Sequence, residues 1–244
     1  MQDVLITVVD FGSKKLSASL GKGTGTEVEI VASQNVPSKG GIKKGIVEDI
    51  DICKESLGEV LKKLEWLSGE KIEEIYVGIS SKNLRVTESD GEIYLEKGEV
   101  REIDKKDVIE DAKKKVSLAD GEEIVDVLVN FYTLDGRIID KDINGLEGRD
   151  LRVNITFILG YKKELNKYKE IVKEANYKLK GFVVNIVSGK NVFLYEDKSM
   201  GMHALVDVGA EITDIAIFNN GILKYISSVP LGGENITKDL SICG

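Results

Sequence analysis

The chain has 244 residues, 42% of them hydrophobic, which is enough to bury a sizeable core in one large domain or two modest ones. Its 34 Lys and Arg residues against 42 Asp and Glu residues give a net charge of −8. This balance argues against nucleic acid as a partner, because a phosphate backbone needs a basic face. Two distant cysteines and one histidine also argue against a disulfide framework or a zinc site.

The N-terminal residues lack the basic region and long apolar core of a secretory signal. No stretch of the sequence reaches the roughly 18 apolar residues of a membrane span. We therefore expect a cytoplasmic protein.

The first predicted element is an apolar strand that ends in an acid. Asp10 follows the mostly apolar residues 5–9, and Gly12 permits a tight turn before a second apolar run. This order predicts a β-hairpin with Asp10 at its tip. An acid in this place can hold a hydrated cation, and the glycine lets backbone N–H groups approach an anion without a Cβ in the way.

The same series occurs a second time near the other end of the chain. Asp207 ends an apolar run, Gly209 follows, and another apolar run begins at Ile215. In both series a weaker hairpin signal and a strand ending in Val-Pro come next, at residues 23–25 and Val36-Pro37, and at residues 219–221 and Val229-Pro230. We interpret this as an internal duplication, which predicts two half-domains whose acidic turns converge from opposite walls of one crevice.

A long amphipathic helix is predicted between Ile46 and Leu67, because apolar residues recur there at three- and four-residue steps. Cys53 lies on this stripe and is interpreted as a core residue. Gly69 ends the helix, and a strand rich in β-branched residues follows at 72–79.

From about Lys82 the pattern changes to a small α+β unit of roughly 80 residues, without any catalytic cluster. The pair Asp90-Gly91 favours a hairpin turn, because such pairs tolerate positive φ. Asp104 is predicted to cap the start of a helix that ends at Val116. The strands of the unit are predicted at 84–87, 92–95, 124–133 and 151–159.

Beyond Tyr161 the first pattern returns. An amphipathic helix is predicted at 165–175, a strand at 182–186 and a short helix at 192–195. His203 has no nucleophile pattern near it and is given no catalytic role. Five lysines on or near the outer helix face are interpreted as a solvated surface: Lys162, Lys163, Lys167, Lys169 and Lys173.

Four stretches give the chain a resemblance to the actin-like ATPase superfamily and, within it, to the FtsA family of bacterial cell-division proteins. Two are similar to the phosphate loops of the superfamily, the third to a Gly-Gly-x-x-Ile-Thr-x-Asp helix start, and the fourth lies where FtsA has its own inserted subdomain. These stretches are Val9-Asp10-Phe-Gly12-Ser13-Lys14-Lys15, Val206-Asp207-Val-Gly209-Ala-Glu-Ile-Thr213-Asp214, Pro230-Leu-Gly-Gly233-Glu-Asn-Ile-Thr237-Lys-Asp239 and Asn144-Gly145-Leu-Glu-Gly148. The loops alone indicate the superfamily, and the place of the insert specifies FtsA.

The resemblance implies an α/β fold: an actin-like, ribonuclease H-like duplicated fold with an inserted α+β, SHS2-like subdomain and an incomplete second half. Subdomain 1A would comprise residues 1–82 and 161–198, the inserted subdomain 1C residues 83–160, and a partial subdomain 2A residues 199–244. The family continues with an adenosine-binding loop, a subdomain that docks the ring protein FtsZ and a membrane-binding helix. Without them we expect one face of the second sheet to lack cover, and a second copy to bury it through strand pairing or domain swapping.

The resemblance also implies ATP and Mg²⁺ as ligands. Asp10 and Asp207 would hold Mg²⁺ through waters, while N–H groups of the two turns grip the β- and γ-phosphates. Hydroxyls would come from Ser13 and Thr213, and positive charge from Lys14 or Lys15. The implied nucleotide-binding residues are Asp10, Gly12, Ser13, Lys14, Lys15, Asp207, Gly209, Ala210, Thr213, Gly232 and Gly233, and the metal-binding residues are Asp10 and Asp207.

We expect little ATP affinity and at most weak ATPase activity. Ala210 and Glu211 depart from the glycine-richer second loop of many relatives, and a carboxylate near phosphates is repulsive unless it points away. The segment from Asn185 to Glu196 shows no clear Gln or Glu that could position a water.

Three functions stay open at this point. The first is a division scaffold that links the FtsZ ring to the inner face of the membrane at the division site and recruits later division proteins. The second is a pilus-assembly actin homologue with a similarly placed insert. The third is a small-molecule kinase of the same superfamily, for which no candidate catalytic acid is evident.

Overall fold

A computed structural model describes residues 4–24, 27–96, 98–139, 142–193 and 201–243. The predicted hairpin position Gly25 and the predicted helix end Tyr195 lie outside these residues. The elements in chain order are β1 (Val4–Phe11), β2 (Lys15–Thr24), β3 (Glu27–Pro37), β4 (Ile42–Lys43), β5 (Ile46–Val47), α1 (Ile50–Ser68), β6 (Glu74–Ile79), β7 (Leu84–Tyr94), α2 (Glu102–Lys114), β8 (Glu122–Leu134), β9 (Arg137–Ile139), β10 (Asp150–Tyr161), α3 (Lys162–Glu174), β11 (Lys178–Val184), α4 (Asn185–Ser188), α5 (Lys190–Phe193), β12 (Met202–Val208), β13 (Thr213–Asn219), β14 (Ile222–Val229) and α6 (Gly233–Cys243).

The first half is a five-stranded sheet in the order β11-β6-β1-β2-β3. The strands β1, β2 and β3 are antiparallel, whereas β6 and β11 run parallel to β1. Helices α1 and α3 contact each other, and their residues Leu57, Leu61 and Ile171 join the main core with Ile75 and Val77 of β6. Asp10 therefore lies at the carboxyl end of the central strand, the end at which open α/β sheets bind ligands.

Helix α1 is shorter than the sequence predicts at its N-terminal end. Asp49 caps the helix, because its side chain accepts a hydrogen bond from the N–H of Ile52 at 2.9 Å. Ile46 instead belongs to the two-stranded ribbon of β4 and β5, whose turn contains Gly45 at φ 72°. Gly69 ends the helix in the left-handed conformation, as predicted.

The inserted module is a four-stranded sheet in the order β7-β10-β8-β9, with α2 packed on β7 and β10. The predicted hairpin at Asp90-Gly91 is wrong, because β7 is one strand that pairs with β10 along its whole length. Gly91 serves close packing instead of a turn. A Cβ there would overlap the carbonyl oxygen of Val108 in α2.

Two further predicted boundaries are corrected, one in the inserted module and one after it. The N-cap of α2 is Arg101, and Asp104, the predicted cap, is the third helical residue. Its carboxylate accepts a hydrogen bond from the backbone N–H of Arg101 at 2.9 Å, as the acid of a capping box does. The strand predicted at 182–186 is β11, which pairs with β6 from Lys178 and ends before Ile186.

The second half repeats the first three strands and the helix that follows them. Strands β12, β13 and β14 form an antiparallel sheet in that order, and α6 follows the Val-Pro pair. One face of this sheet packs Ala216, Phe218 and Ile226 into the main core. The other face is open, with Val206 57% and Val208 63% exposed. This is the uncovered face that the sequence predicts.

We expect Gly91→Ala to destabilise the protein by about 1–3 kcal/mol, because the added methyl group forces α2 away from β7. Gly58→Ala is the matched control. Gly58 lies in α1, and a methyl group added there would have no neighbouring heavy atom within 4 Å, so alanine should stabilise by about 0.5–1 kcal/mol. Urea denaturation of both variants measures the two changes, and equal changes would contradict the packing role of Gly91.

Candidate functional site

The two acidic turns have the same backbone geometry. The N–H of Gly12 donates to the carbonyl of Lys15 at 3.1 Å, and the N–H of Gly209 donates to the carbonyl of Ile212 at 2.9 Å. A Cβ would lie 2.8 Å from that carbonyl oxygen at Gly12 and 3.0 Å from it at Gly209. Both positions therefore need glycine for the same reason, which supports the internal duplication.

Residues that follow each Val-Pro pair form hydrogen bonds to the turn of the same half. In the first half, Ser38 donates its N–H to the carbonyl of Lys14 at 3.0 Å and its hydroxyl to the carbonyl of Ser13 at 2.6 Å. In the second half, the N–H of Gly233 donates to the carbonyl of Gly209 at 2.9 Å. Each strand that ends in Val-Pro therefore leads into residues that donate hydrogen bonds to carbonyl groups of the turn.

The two turns line one small cavity of about 110 Å³. Residues 10–13 contribute from the first turn, and Asp207, Gly209 and Ala210 contribute from the second. The structure therefore brings these predicted site residues together. The other predicted site residues are not part of the cavity lining: Lys14, Lys15, Thr213, Gly232 and Gly233.

Asp10 ionises less readily in the cavity than a free carboxyl group does. Burial raises the pKa of Asp10, and the negative charges of Asp207 and Asp214 raise it further. A hydrogen bond from Asn185 and the positive charge of Lys15 act in the opposite direction. The cavity is therefore an electronegative place that favours a cation.

Asn185 is a site residue that the sequence analysis missed. Its Nδ2 donates to Asp10 Oδ1 at 2.7 Å, and its side chain fills the space that a Cβ on Gly78 would occupy. It also lines the cavity between the turns. The signal for this residue is its position directly after the apolar end of β11, a strand that runs parallel to β6.

Among the described residues, no acceptor is found for the backbone N–H groups of Ser13 and Lys14 in the first turn or of Ala210 and Glu211 in the second. Other predicted donors are already engaged. The N–H of Gly232 donates to Asn235 Oδ1 at 3.0 Å, and the hydroxyl of Thr213 donates to the carbonyl of Leu231 at 2.8 Å. Gly232 and Thr213, like Gly233, support the second turn.

Two acids of the second half reach across the mouth of the crevice. Glu234 forms an ion pair with Lys14 at 2.9 Å, and Glu211 Oε2 accepts a hydrogen bond from the N–H of Lys44 at 2.9 Å. Glu211 therefore points away from the cavity, which removes the repulsion that its position in the second loop suggested.

The described residues contain no group of three or more His, Cys, Asp or Glu side chains that could hold a metal ion without help. Asp10 and Asp207 supply carboxylate oxygens, which suit Mg²⁺. A cation here would complete its coordination with waters and phosphate oxygens.

The duplicated α/β halves, the insert and the paired turns around one crevice define an actin-like fold. Two solved structures show the same fold. The PilM-PilN type IV pilus biogenesis complex superposes with a TM-score of 0.62 and 13% identity, covering 98% of this chain and 66% of that one. The ethanolamine utilization protein EutJ from Carboxydothermus hydrogenoformans gives a TM-score of 0.53 and 13% identity, covering 99% and 57%.

Comparison of the sequence with known proteins finds its relatives within this class. Residues 81–159 match the SHS2 domain inserted in FtsA, and residues 204–244 match the family of cell division protein FtsA. FtsA of Bacillus subtilis is 31% identical over 241 residues, and FtsA of Neisseria meningitidis is 28% identical over 242. The chain is thus similar to FtsA along almost its whole length, which confirms the predicted resemblance.

The chain covers 54% of the Bacillus relative and 58% of the Neisseria relative. It therefore spans just over half the length of these proteins. None of the described helices is both long and apolar enough to cross a lipid bilayer.

We expect Asp10→Asn to raise the melting temperature at pH 7. The pKa of Asp10 is raised in the folded state, so ionising this acid costs stability as pH rises above the ordinary value of 3.8. Asparagine avoids that cost and still accepts the hydrogen bond from Asn185. The gain should shrink as pH falls toward 3.8 in melting curves recorded across this range.

Asp135→Asn is the control of opposite sign. Hydrogen bonds from the N–H groups of Asp150 and Arg149 lower the pKa of Asp135, so its charge stabilises the fold above the ordinary pKa. Its φ of 48° is one that asparagine tolerates. This variant should melt lower at pH 7, and a gain there would contradict the electrostatic reasoning.

Proposed function

We propose that the crevice binds the phosphate chain of a nucleotide together with Mg²⁺. The observation that carries this proposal is that the N–H groups of Ser13, Lys14, Ala210 and Glu211, which find no acceptor in the described part of the chain, lie in the turns of Asp10 and Asp207 around one cavity. Unpaired N–H groups on tight turns bind phosphate oxygens, and the two carboxylates hold the cation that bridges them. In this assignment Lys14 and Lys15 supply positive charge, and Ser13 supplies a hydroxyl.

We propose that ATP is held weakly and turned over slowly, if at all. A cavity of about 110 Å³ has room for phosphate groups, whereas pockets for whole small-molecule ligands measure roughly 300–1,000 Å³. The amide of Asn185 is already bonded to Asp10, so it is not free to orient an attacking water.

The wider role that we propose is a division scaffold. The support is the similarity to cell division protein FtsA along 98% of the chain. Residues 1–82 and 161–198 would form subdomain 1A, residues 83–160 subdomain 1C, and residues 199–244 part of subdomain 2A. In the whole protein this scaffold would link FtsZ to the inner face of the cell membrane at the septum and recruit later division proteins.

The pilus-assembly alternative is favoured by one observation, the fold shared with the PilM-PilN complex. At 13% identity that likeness concerns the fold alone, whereas the curated relatives support the division role. Mixing the full-length parent with FtsZ, or with the cytoplasmic tail of a pilus inner-membrane protein, separates the two. A coupled kinase assay tests the small-molecule kinase alternative.

Calorimetric titration with inorganic triphosphate and with ATP, each with Mg²⁺, tests the phosphate site. We expect dissociation constants of about 0.1–1 mM that agree within about threefold, because the cavity holds phosphates and adds little for the nucleoside. Gly12→Ala and Gly209→Ala should abolish binding, since a methyl group there displaces the carbonyl that closes the turn.

Gly23→Ala is the matched control, since this glycine of β2 has its nearest neighbour, the carbonyl oxygen of Val4, 3.7 Å from a Cβ. It should bind triphosphate like the unchanged protein. Equal binding by all three variants, or no binding by the unchanged protein, would refute the phosphate site. Micromolar ATP binding would refute the weak affinity.

We also propose that the open face of the second half mediates self-association, through a polymer or a swapped dimer. Among the strands that the structure describes, β12 pairs only with β13, whereas its counterpart β1 is paired on both sides. The adjoining α6 exposes Ile236, Leu240 and Ile242. An unpaired edge beside exposed apolar side chains is a template for a second copy.

Light scattering at rising concentration should show dimers or larger species. Val206→Asp, which puts a charge on the open face, should shift them toward monomer. Val28→Asp is the matched control, because Val28 is 60% exposed on β3 of the first half, against 57% for Val206. A protein that stays monomeric at high concentration would rule out the self-association.

A further inference from the structure

The floor of the crevice contains a buried acid to which the sequence analysis gave no role. Asp214 is only 6% exposed and lies directly opposite Asp207 in the hairpin of β12 and β13. It lines the same cavity as Asp10. Like charges opposite each other on neighbouring strands are destabilising, and a buried carboxylate needs donors, so Asp214 requires compensation from its surroundings.

Serine hydroxyls supply that compensation on a single oxygen atom. Ser80 donates to Asp214 Oδ1 at 3.0 Å, and Ser228 donates to it as well. Ser81 Oγ lies 2.8 Å from both this atom and the carbonyl oxygen of Ser227, so its one proton bonds to either acceptor. Ser80 and Ser81 follow β6 of the first half, whereas Ser227 and Ser228 belong to β14 of the second. The acid therefore joins the two halves.

The duplication gives the first half no such group. The residue that faces Asp10 across its hairpin, as Asp214 faces Asp207, is Ser17. At the mouth of the crevice the halves are joined by the Lys14 and Glu234 pair, in which the Lys14 side chain is 58% exposed, and by the bond from the Lys44 N–H to Glu211. Exposed contacts of this kind contribute little, while hydrogen bonds to a buried charge are strong. Beside the apolar packing of the two halves, the stronger polar joint is therefore at the floor.

We infer that Asp214 is a positioning residue of the crevice. With Ser80, Ser81 and Ser228 it forms a floor clasp that holds the second half on the first and fixes the separation of the two acidic turns. It acts through Asp10 and Asp207, whose distance from each other it sets. The floor clasp exists whether or not a nucleotide binds.

Pulsed electron paramagnetic resonance tests this inference. Spin labels on Lys62→Cys in α1 and Lys238→Cys in α6, with Cys243→Ser and the fully buried Cys53 left in place, report the distance between the halves. We expect a narrow distribution that broadens in Asp214→Ala, where the serine hydroxyls lose their shared acceptor. Asp214→Asn retains an acceptor oxygen and should restore most of the narrow distribution.

Ser19→Ala is the matched control, because it removes a serine pair, Ser19 with Ser33 at 2.8 Å, that lies within the first sheet. It should leave the distribution unchanged. If Asp214→Ala fails to fold, the double variant Ser81→Ala/Ser228→Ala replaces it, since it removes two donors and retains every charge.

The rescue by Asp214→Asn separates positioning from a merely structural role, because asparagine keeps an acceptor oxygen for the serine hydroxyls while it removes the charge.

An unchanged distance distribution in Asp214→Ala, or in the double variant where that one replaces it, would overturn the inference. The measurement uses no ligand. Failure of the floor clasp would therefore leave the phosphate site untouched, and a protein that binds no triphosphate would still report on the floor clasp.

Discussion

The tight turn closed by a glycine N–H and the carbonyl three residues later is the constraint on which the site depends. At Gly12 and again at Gly209, this hydrogen bond leaves no room for a Cβ. The turn reverses the chain directly after Asp10 and Asp207, so each acid stands at the end of its strand. It also leaves the next two N–H groups outside the bond, where a ligand can reach them.

The crevice is negatively charged before any ligand arrives, and each acid is accommodated differently. Asp10 is half-buried and receives a hydrogen bond from Asn185, Asp214 is buried under serine hydroxyls, and Asp207 is exposed. A bare phosphate chain would meet three carboxylates. A phosphate chain that carries Mg²⁺ brings the opposite charge, so the metal and the anion should bind here as one unit.

The strand and turn pattern of both halves could be predicted from the sequence because it is local. Hydrophobic runs, an acid, a glycine and a Val-Pro end define each hairpin without reference to the rest of the chain. Gly91 cannot be explained by such a local pattern. The pair Asp90-Gly91 is typical of a turn, but glycine is needed here because α2 packs closely against the strand. Asp104 was assigned the right helix and the wrong position, since an acid can stabilise a helix start from within its first turn.

In the site as well, features that depend on neighbouring residues could be predicted from the sequence, and features that depend on distant residues could not. The two turns were predictable because each is one motif, whereas Asn185 and Asp214 depend on partners that are 175 and 134 residues away, Asp10 and Ser80. A duplication also predicts equivalence, and the halves are equivalent only in their turns. The first turn is held by Ser38, the second by the start of α6, and among the described residues only the second half has a buried acid opposite the acid of its turn. Because that acid bonds to serines of the other half, the asymmetry turns two similar hairpins into one joined crevice.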